Sequence, residues 1–204
     1  MKIIAIGRNY IDHAKELNNP VPKEPMFFLM PDTALLRNNQ PFFYPDFSKD
    51  IHYELEVVVK LNRLGKNINA KFAHRYYNEI ALGIDFTARD LQQKCKEKGL
   101  PWEIAKSFDG ASPISKFIEL DKLGGDINNI NFRLELNGNI VQKSNTSEMI
   151  FNVDKLIEHV SKYMTIKIGD YLFTGTPSGV GPVKIGDRLT AFIEDEKMLD
   201  FVIK

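Results

Sequence analysis

The sequence predicts a β-dominated α+β fold, because many short runs of β-branched and aromatic residues alternate with turn residues along the chain. Only two segments, 87–98 and 153–163, have the length and apolar spacing of well-formed helices. The clearest hairpin lies in 131–142, where Asn137-Gly138 separates two apolar runs. Many strands and few helices are typical of a roll or a sandwich. The length predicts a single domain over residues 1–204.

Composition and charge limit the classes of partner. The 204 residues are 43% hydrophobic, enough for a sizeable core, and 27 Lys and Arg balance 27 Asp and Glu. This balance gives no indication of a nucleic acid or an anionic membrane as partner. The single cysteine, Cys95, excludes an internal disulfide framework. There is no signal-peptide pattern at Met1–Ile6 and no apolar run of membrane-spanning length, so we expect a soluble cytoplasmic protein.

A short helix followed by a proline-rich loop predicts a mobile lid. Residues 12–17 can form the helix, in which His13 and Glu16 lie three positions apart on one face. The next segment, 18–25, contains three prolines, so the lid is expected to span about residues 11–25. From these residues alone, His13 is more simply a surface histidine on a frayed helix.

Two acidic residues stand in the apolar strand predicted over 52–59. Side chains two positions apart in a strand point to the same face, so Glu54 and Glu56 lie side by side, with His52 on that face too. Two neighbouring carboxylates repel each other, and a hard divalent cation relieves the repulsion. The alternative is an ordinary strand with an acidic solvated face, which the two glutamates alone do not exclude.

A third carboxylate lies at the end of another predicted strand. Residues 80–86 form an apolar run that contains Asp85, and burying a lone carboxylate is costly. Asp85 is therefore the natural third ligand of a cation held by the two glutamates. If the following helix starts early, Arg89 and Gln92 face the same site; otherwise they belong to its solvated face.

Later segments add one candidate binding loop. Residues 102–106 are predicted to be extended, and a strand over 170–173 runs into 174–181, which is rich in glycine and hydroxyl groups. Such a loop suits close backbone approach to a small anion. It lacks the lysine and the spacing of a phosphate-binding P-loop, and the alternative is a strained connection between strands. The chain ends in a predicted hairpin of 188–193 and 198–203.

Five motifs follow one another in order along nearly the whole chain. They are Gly7-Arg8-Asn9-Tyr10 with His13 and Glu16, Tyr53-Glu54-Leu55-Glu56, Gly83 to Gln92, Lys106-x-Phe108-Asp109, and Thr174 to Gly181. Each motif alone is modest, but the ordered set is specific. It resembles the fumarylacetoacetate hydrolase family, in particular its short, single-domain acylpyruvase and oxaloacetate decarboxylase-like members.

The resemblance implies a mixed β-sandwich roll of the type found in the C-terminal domain of that family, assembled as a homodimer. It also implies a site for Mg²⁺ or Mn²⁺, which Ca²⁺ can also occupy, next to a small oxo-acid substrate. The implied residues are Glu54, Glu56 and Asp85 for the metal, Arg89, Gln92 and Thr176 for the substrate, Lys106 as a catalytic residue in contact with it, and His13 with Glu16 for activating water.

The implied activity is metal-dependent hydrolysis of a C–C bond in 2,4-dioxo acids of the acylpyruvate or fumarylpyruvate type, with decarboxylation of oxaloacetate as a further activity. Two alternatives stay open: an isomerase or decarboxylase of a 2-hydroxy-dienedioate, and a non-catalytic β-domain that binds a small acid. One departure bears on the substrate, because Met30 replaces the usual lysine of a Phe-x-Lys-Pro motif at 28–31. We expect Met30 at the rim of the substrate pocket.

Overall fold

The computed structural model describes residues 1–16 and 20–204. It confirms the strand-dominated α+β fold, in which several sheets pack around a shared core. The strands are β1 Ile3–Gly7, β2 Met26–Met30, β3 Leu35–Leu36, β4 Ile51–Tyr53, β5 Leu55–Leu61, β6 Tyr77–Ile84, β7 Thr87–Ala88, β8 Ser112–Pro113, β9 Ile118–Glu119, β10 Asn131–Leu136, β11 Asn139–Asn145, β12 Tyr171–Phe173, β13 Gly181–Pro182, β14 Arg188–Ile193 and β15 Glu196–Val202. The helices are α1 Ile11–Glu16, α2 Ala70–Ala73, α3 Arg89–Lys98, α4 Glu103–Lys106 and α5 Val153–Tyr163. Residues 17–19 of the predicted lid lie outside the described residues.

A six-stranded mixed sheet, in the order β2-β1-β12-β5-β6-β9, forms the centre of the fold. Strands β1 and β12 are parallel, and the other neighbours are antiparallel. Strand β5 is buried on both faces: Val57 and Val59 pack into the larger core, and Val58 packs into a smaller core on the opposite face. Because side chains alternate along a strand, a continuous valine run suits a strand that is covered on both sides.

A second sheet of four antiparallel strands, in the order β11-β10-β14-β15, contributes to the larger core. Its inward residues, such as Leu134 and Ala191, are fully buried. The Asn137-Gly138 turn joins β10 to β11 with φ angles of 53° and 82°, the left-handed conformation that a type I′ hairpin turn requires. Both predicted hairpins are therefore present.

The two predicted helices are also present. Helix α5 has the bounds expected for it, and Asn152 caps it by accepting a hydrogen bond from the backbone N–H of Lys155. Helix α3 begins at Arg89, two residues later than expected, because Thr87–Ala88 forms a strand that pairs with β4. Within the described part of the chain, no helix combines the length and the apolar character needed to cross a membrane.

The extended conformation predicted for 102–106 is wrong. The backbone N–H groups of Ala105 and Lys106 both donate to the carbonyl oxygen of Trp102, so the segment makes one helical turn, α4. Pro101 lies directly before this turn and cannot donate a backbone hydrogen bond. A segment this short has no periodicity from which a helix could be recognised. The turn directs the side chain of Lys106 into the interior.

Candidate active site

Three buried carboxylates converge at one end of the central sheet. Glu54 lies between β4 and β5, Glu56 lies in β5, and Asp85 directly follows β6. The antiparallel register pairs Leu55 with Ile84, and the backbone N–H of Asp85 donates to the carbonyl oxygen of Glu54 over 2.8 Å. The three acidic residues are 6%, 1% and 1% exposed, and each offers an oxygen within 4.8 Å of the others. This burial excludes the alternative of an acidic solvated face.

Two cations neutralise part of this charge. Nζ of Lys106 donates to Oε2 of Glu54 at 2.8 Å and to Oδ2 of Asp85 at 2.7 Å. Nη2 of Arg89 donates to Oε1 of Glu54 at 2.7 Å. Burial acts to raise the pKa of Glu54, but Lys106 and Arg89 outweigh burial and hold that pKa below its usual value. Burial raises the pKa of Asp85 to about 6, and the attraction of Lys106 offsets part of that effect.

The third carboxylate, Glu56, is held by the backbone, since the N–H of Gly175 donates to its Oε2 at 2.7 Å. Burial, followed by the charge of Asp85, raises the pKa of Glu56 well above its usual value. Oδ1 of Asp85 is buried and has no hydrogen-bond donor among the described residues. An unpaired oxygen beside crowded carboxylates fits a hard divalent cation, which prefers oxygen ligands. Glu54, Glu56 and Asp85 are the residues that would hold it.

Helix α3 directs three polar side chains toward the carboxylates. Arg89, Gln92 and Lys96 recur at helical spacing and line the same cavity. Nη1 of Arg89 donates to Oε1 of Gln92 at 2.8 Å, which fixes the guanidinium between that amide and Glu54. Lys96 was not predicted from the sequence, although it lies four residues beyond Gln92 on the same helix face.

The glycine-rich loop that begins at Thr174 closes another side of the cavity. The N–H and the hydroxyl of Thr174 both donate to the carbonyl oxygen of Val57, at 3.1 and 2.8 Å. Thr176 lines the cavity, and its hydroxyl accepts a hydrogen bond of 2.9 Å from Nε2 of Gln142. Oε1 of the buried Gln142 accepts from the N–H of Leu55 at 2.9 Å, which ties the loop to the start of β5. No sequence pattern indicated Gln142, because its partners are distant in the chain.

Helix α1 brings His13 and Glu16 to the cavity. His13 is 4% exposed and lines the cavity, so it is not the surface histidine that the sequence left as an alternative. Nδ1 of His13 lies 3.2 Å from Oε2 of Glu16. Oε1 of Glu16 accepts a hydrogen bond of 3.0 Å from the N–H of Gly179. The carboxylate therefore orients the imidazole and links α1 to the glycine-rich loop.

Two residues lie elsewhere than expected. Met30 is 3% exposed in the smaller core, where its sulfur accepts a hydrogen bond of 3.4 Å from the hydroxyl of Ser112. Met26 and Phe28 precede it on the same face of β2, and they line the cavity whereas Met30 does not. The expected place of Met30 at the rim is thereby corrected, since the strand carries it past the cavity into the core. His52 does not line the cavity either.

Comparisons with known proteins cover nearly the whole chain. The family model described as fumarylacetoacetate (FAA) hydrolase C-terminal matches residues 2–201. Oxaloacetate decarboxylase, mitochondrial, of Dictyostelium discoideum is 47% identical over 207 residues, which cover 100% of this chain and 94% of that protein. Oxaloacetate tautomerase FAHD1, mitochondrial, of Bos taurus is 40% identical over 202 residues, which cover 99% and 91%. The crystal structure of fumarylpyruvate hydrolase from Pseudomonas aeruginosa in complex with Mn²⁺ and pyruvate matches with a TM-score of 0.94 and 31% identity, covering 100% of this chain and 89% of that one. This chain therefore belongs to the fumarylacetoacetate hydrolase family.

Proposed function

We propose that this protein is a divalent-metal-dependent enzyme that acts on oxaloacetate through its enolate, with tautomerisation and decarboxylation as the two outcomes. The observation that carries the proposal is the buried set of Glu54, Glu56 and Asp85, with an unpaired Asp85 oxygen, beside the ammonium of Lys106. Two relatives that are 47% and 40% identical are named for reactions of oxaloacetate, which supports this substrate. The Mn²⁺ in the Pseudomonas aeruginosa complex supports Mg²⁺ or Mn²⁺ as the cofactor.

The side chains around the carboxylates suit an enolate. A bound divalent cation would supply Lewis-acid polarisation of the 2-oxo group. The buried ammonium of Lys106 stabilises negative charge that develops on the enolate oxygen, because a fixed donor in a site with little water interacts strongly. Arg89, Gln92 and Thr176 present donors at the cavity wall and orient the carboxylate adjacent to the oxo group.

His13 is the group placed to move a proton. Glu16 orients it through Nδ1, which leaves Nε2 for the substrate. In tautomerisation, Nε2 takes a proton from the carbon next to the oxo group and then returns it to the enolate oxygen, which regenerates the neutral imidazole. In decarboxylation, the C–C bond electrons form the enolate as carbon dioxide leaves, and a proton from water is then added to the same carbon. Both reactions therefore pass through one enolate beside Lys106, but only tautomerisation needs the base.

Hydrolysis of a 2,4-dioxo acid is the second candidate, and the His13–Glu16 pair is the observation that favours it. The same imidazole can take a proton from water that attacks the distal carbonyl. Cleavage of the C–C bond then gives a carboxylic acid and the enolate of pyruvate. Isomerisation of a 2-hydroxy-dienedioate needs the enolate but no water. A non-catalytic acid-binding domain needs no oriented base, so the His13–Glu16 pair argues against it.

A substrate screen separates these reactions. Enol decay of oxaloacetate is followed by ultraviolet absorbance, and pyruvate formed from oxaloacetate or acetylpyruvate is followed with lactate dehydrogenase. Each assay is run with Mg²⁺, with Mn²⁺ and with EDTA. We expect turnover of oxaloacetate that EDTA abolishes. Turnover of acetylpyruvate alone would replace the first candidate by the second, and oxalate binding without any turnover would leave the dienedioate isomerase and the acid-binding domain.

Assembly and location are two further proposals that follow the family resemblance and the composition. We expect a homodimer, which sedimentation analysis of the purified chain would detect as twice the mass of one chain. We expect a cytoplasmic location, although both relatives named above carry a mitochondrial location in their names. Imaging of the tagged chain in its own cells would decide between the two compartments.

A further inference from the structure

The cavity that contains the three carboxylates has a second wall of opposite charge. Arg8, Lys96 and Trp102 line this wall. Arg89 and Lys106 pair with the cavity's carboxylates, whereas Arg8 and Lys96 form no ion pair within the described part of the chain. Two cations without counter-ions in one cavity are unusual, because charge taken out of water is normally paired.

Lys96 is crowded by other cations. It is half-buried on α3, and its Nζ lies 5.7 Å from the centre of the Trp102 ring. Burial lowers the pKa of Lys96, and the charges of Arg89 and Arg8 lower it further. An anion bound beside Lys96 would relieve this repulsion.

Arg8 has a strained backbone. Its φ of 59° lies in the left-handed region, which costs a residue with a Cβ roughly 1–2 kcal/mol. The neighbouring Asn9 keeps the segment in place, because its Nδ2 donates to the carbonyl oxygens of Phe151 and Thr174 at 2.9 and 2.8 Å. Strained residues concentrate at ligand sites, where the surrounding fold maintains them. Arg8 thus combines a strained backbone with a position on the cavity wall, as residues at ligand sites often do.

The charges that line the cavity would not balance once a divalent cation is bound. With a divalent cation bound, the ion, Lys106 and Arg89 would carry four positive charges against three on the carboxylates. Arg8 and Lys96 add two more positive charges. A 2-oxo monocarboxylate leaves two of these charges without a partner, whereas a dicarboxylate leaves one. We infer that Arg8 and Lys96 form a subsite for the second carboxylate of a dicarboxylic 2-oxo acid. This inference rests on the proposed function and assigns the residues that recognise the second carboxylate of its substrate.

The test compares two ligands that differ in that carboxylate. Binding of 2-oxoglutarate and of 2-oxopentanoate is measured by calorimetry with Mg²⁺ present, and initial rates are measured with oxaloacetate. Lys96→Gln and Arg8→Asn each remove one charge, and asparagine tolerates a left-handed φ. Lys94→Gln removes a charge from the exposed side of the same helix and is the matched control. Thermal melting checks that every variant is folded.

We expect the parent to prefer 2-oxoglutarate over 2-oxopentanoate. Lys96→Gln and Arg8→Asn should each weaken 2-oxoglutarate binding about 10–100-fold, the usual range for a charged hydrogen bond, and leave 2-oxopentanoate binding unchanged. The KM for oxaloacetate should rise by a similar factor, while kcat changes little. Lys94→Gln should match the parent in all measurements.

Several results would overturn the subsite. They are no preference for 2-oxoglutarate in the parent, equal losses for both ligands in Lys96→Gln, or the same loss in Lys94→Gln. A parent that prefers 2-oxoglutarate in this charge-dependent way but does not process oxaloacetate would retain the subsite and refute the proposed function. A parent that processes oxaloacetate without the preference would do the opposite.

Discussion

The backbone N–H of Gly175 donates a hydrogen bond of 2.7 Å to Oε2 of Glu56, so a loop that follows β12 holds one of the three converging carboxylates directly. Gly175 has a φ of 95°, and a Cβ at this position would lie 2.7 Å from the Cβ of Asn9. Both the conformation and the space therefore require glycine. The orientation of Glu56 thus depends on the packing of this loop against Asn9.

We predict that Gly175→Ala destabilises the protein and weakens metal binding. A left-handed alanine and the contact with Asn9 together should lower the free energy of unfolding by about 2–4 kcal/mol. Gly99→Ala is the control, because Gly99 has a φ of 63° but a Cβ added there would meet no atom within 4 Å, so it reports the backbone strain alone. Urea unfolding and Mg²⁺ calorimetry measure the two effects. Equal behaviour of the two variants in both assays would mean that the contact with Asn9 does not position the carboxylate.

Glu56→Gln should abolish most metal binding without unfolding the protein. Mutation of a residue that only hydrogen-bonds to a metal ligand typically lowers metal affinity roughly 10–100-fold. Loss of the charge of a ligand itself should lower the affinity for a hard cation at least as much. In the absence of metal, the variant should melt no lower than the parent. The amide is neutral at a position where burial opposes the charge of Glu56, and its oxygen can still accept from the N–H of Gly175. Glu119→Gln, at an exposed position, is the control. If Glu56→Gln binds Mg²⁺ as the parent does in calorimetry, the ligand assignment fails.

The fold was predictable where the signal is local. The valine run at 57–59 and the Asn137-Gly138 turn specify a buried strand and a hairpin by themselves. The helical turn at Glu103–Lys106 was not predictable, because four residues carry no periodicity. The start of α3 at Arg89 was not predictable either, because it is determined by the pairing of Thr87–Ala88 with β4, a strand distant in the sequence.

The site was predictable where its residues are close in the sequence. Glu54 and Glu56 share a strand face at a spacing of two, and the motifs supplied the other candidates. Gln142 could not be found in this way, since the backbone N–H that donates to it belongs to Leu55, 87 positions away. Asn9 belongs to the first motif, but its role could not be predicted, since its acceptor on Thr174 lies 165 positions away. The motif at 28–31 predicts the wrong position for Met30, because a motif gives no information on the path of β2. That strand carries Met30 past the cavity and into the smaller core.

Met30→Lys should destabilise the protein rather than improve substrate binding. Met30 is enclosed by the apolar side chains of the smaller core, none of which carries a charge that could pair with an ammonium. An unpaired buried charge costs on the order of 3–5 kcal/mol, which urea unfolding would measure. Met30→Leu, a swap of similar volume, should cost less than about 1.5 kcal/mol. A stable Met30→Lys variant with tighter oxalate binding would return this position to the substrate pocket, as the family resemblance implied.

His13 and Glu16 should distinguish hydrolysis from decarboxylation. Hydrolysis needs water activated by a base, whereas loss of carbon dioxide from oxaloacetate needs no activated water. Loss of a general base typically costs about 10²–10⁴-fold in rate. His13→Ala should therefore lower kcat for acetylpyruvate hydrolysis by that factor and spare decarboxylation of oxaloacetate more. The measurement is kcat for both reactions at saturating Mg²⁺.

Glu16→Gln is the companion variant, because it separates the orientation of the base from closure of α1 over the cavity. Its amide oxygen can still accept from the N–H of Gly179, which keeps α1 against the glycine-rich loop. The amide nitrogen then faces Nδ1 of His13 and donates to it, which places the imidazole proton on Nε2, where it cannot act as a base. Glu16→Gln should thus lose hydrolysis nearly as strongly as His13→Ala, with metal affinity unchanged. Equal losses of both reactions in the two variants would assign His13 to closure or to enolate protonation rather than to activation of water.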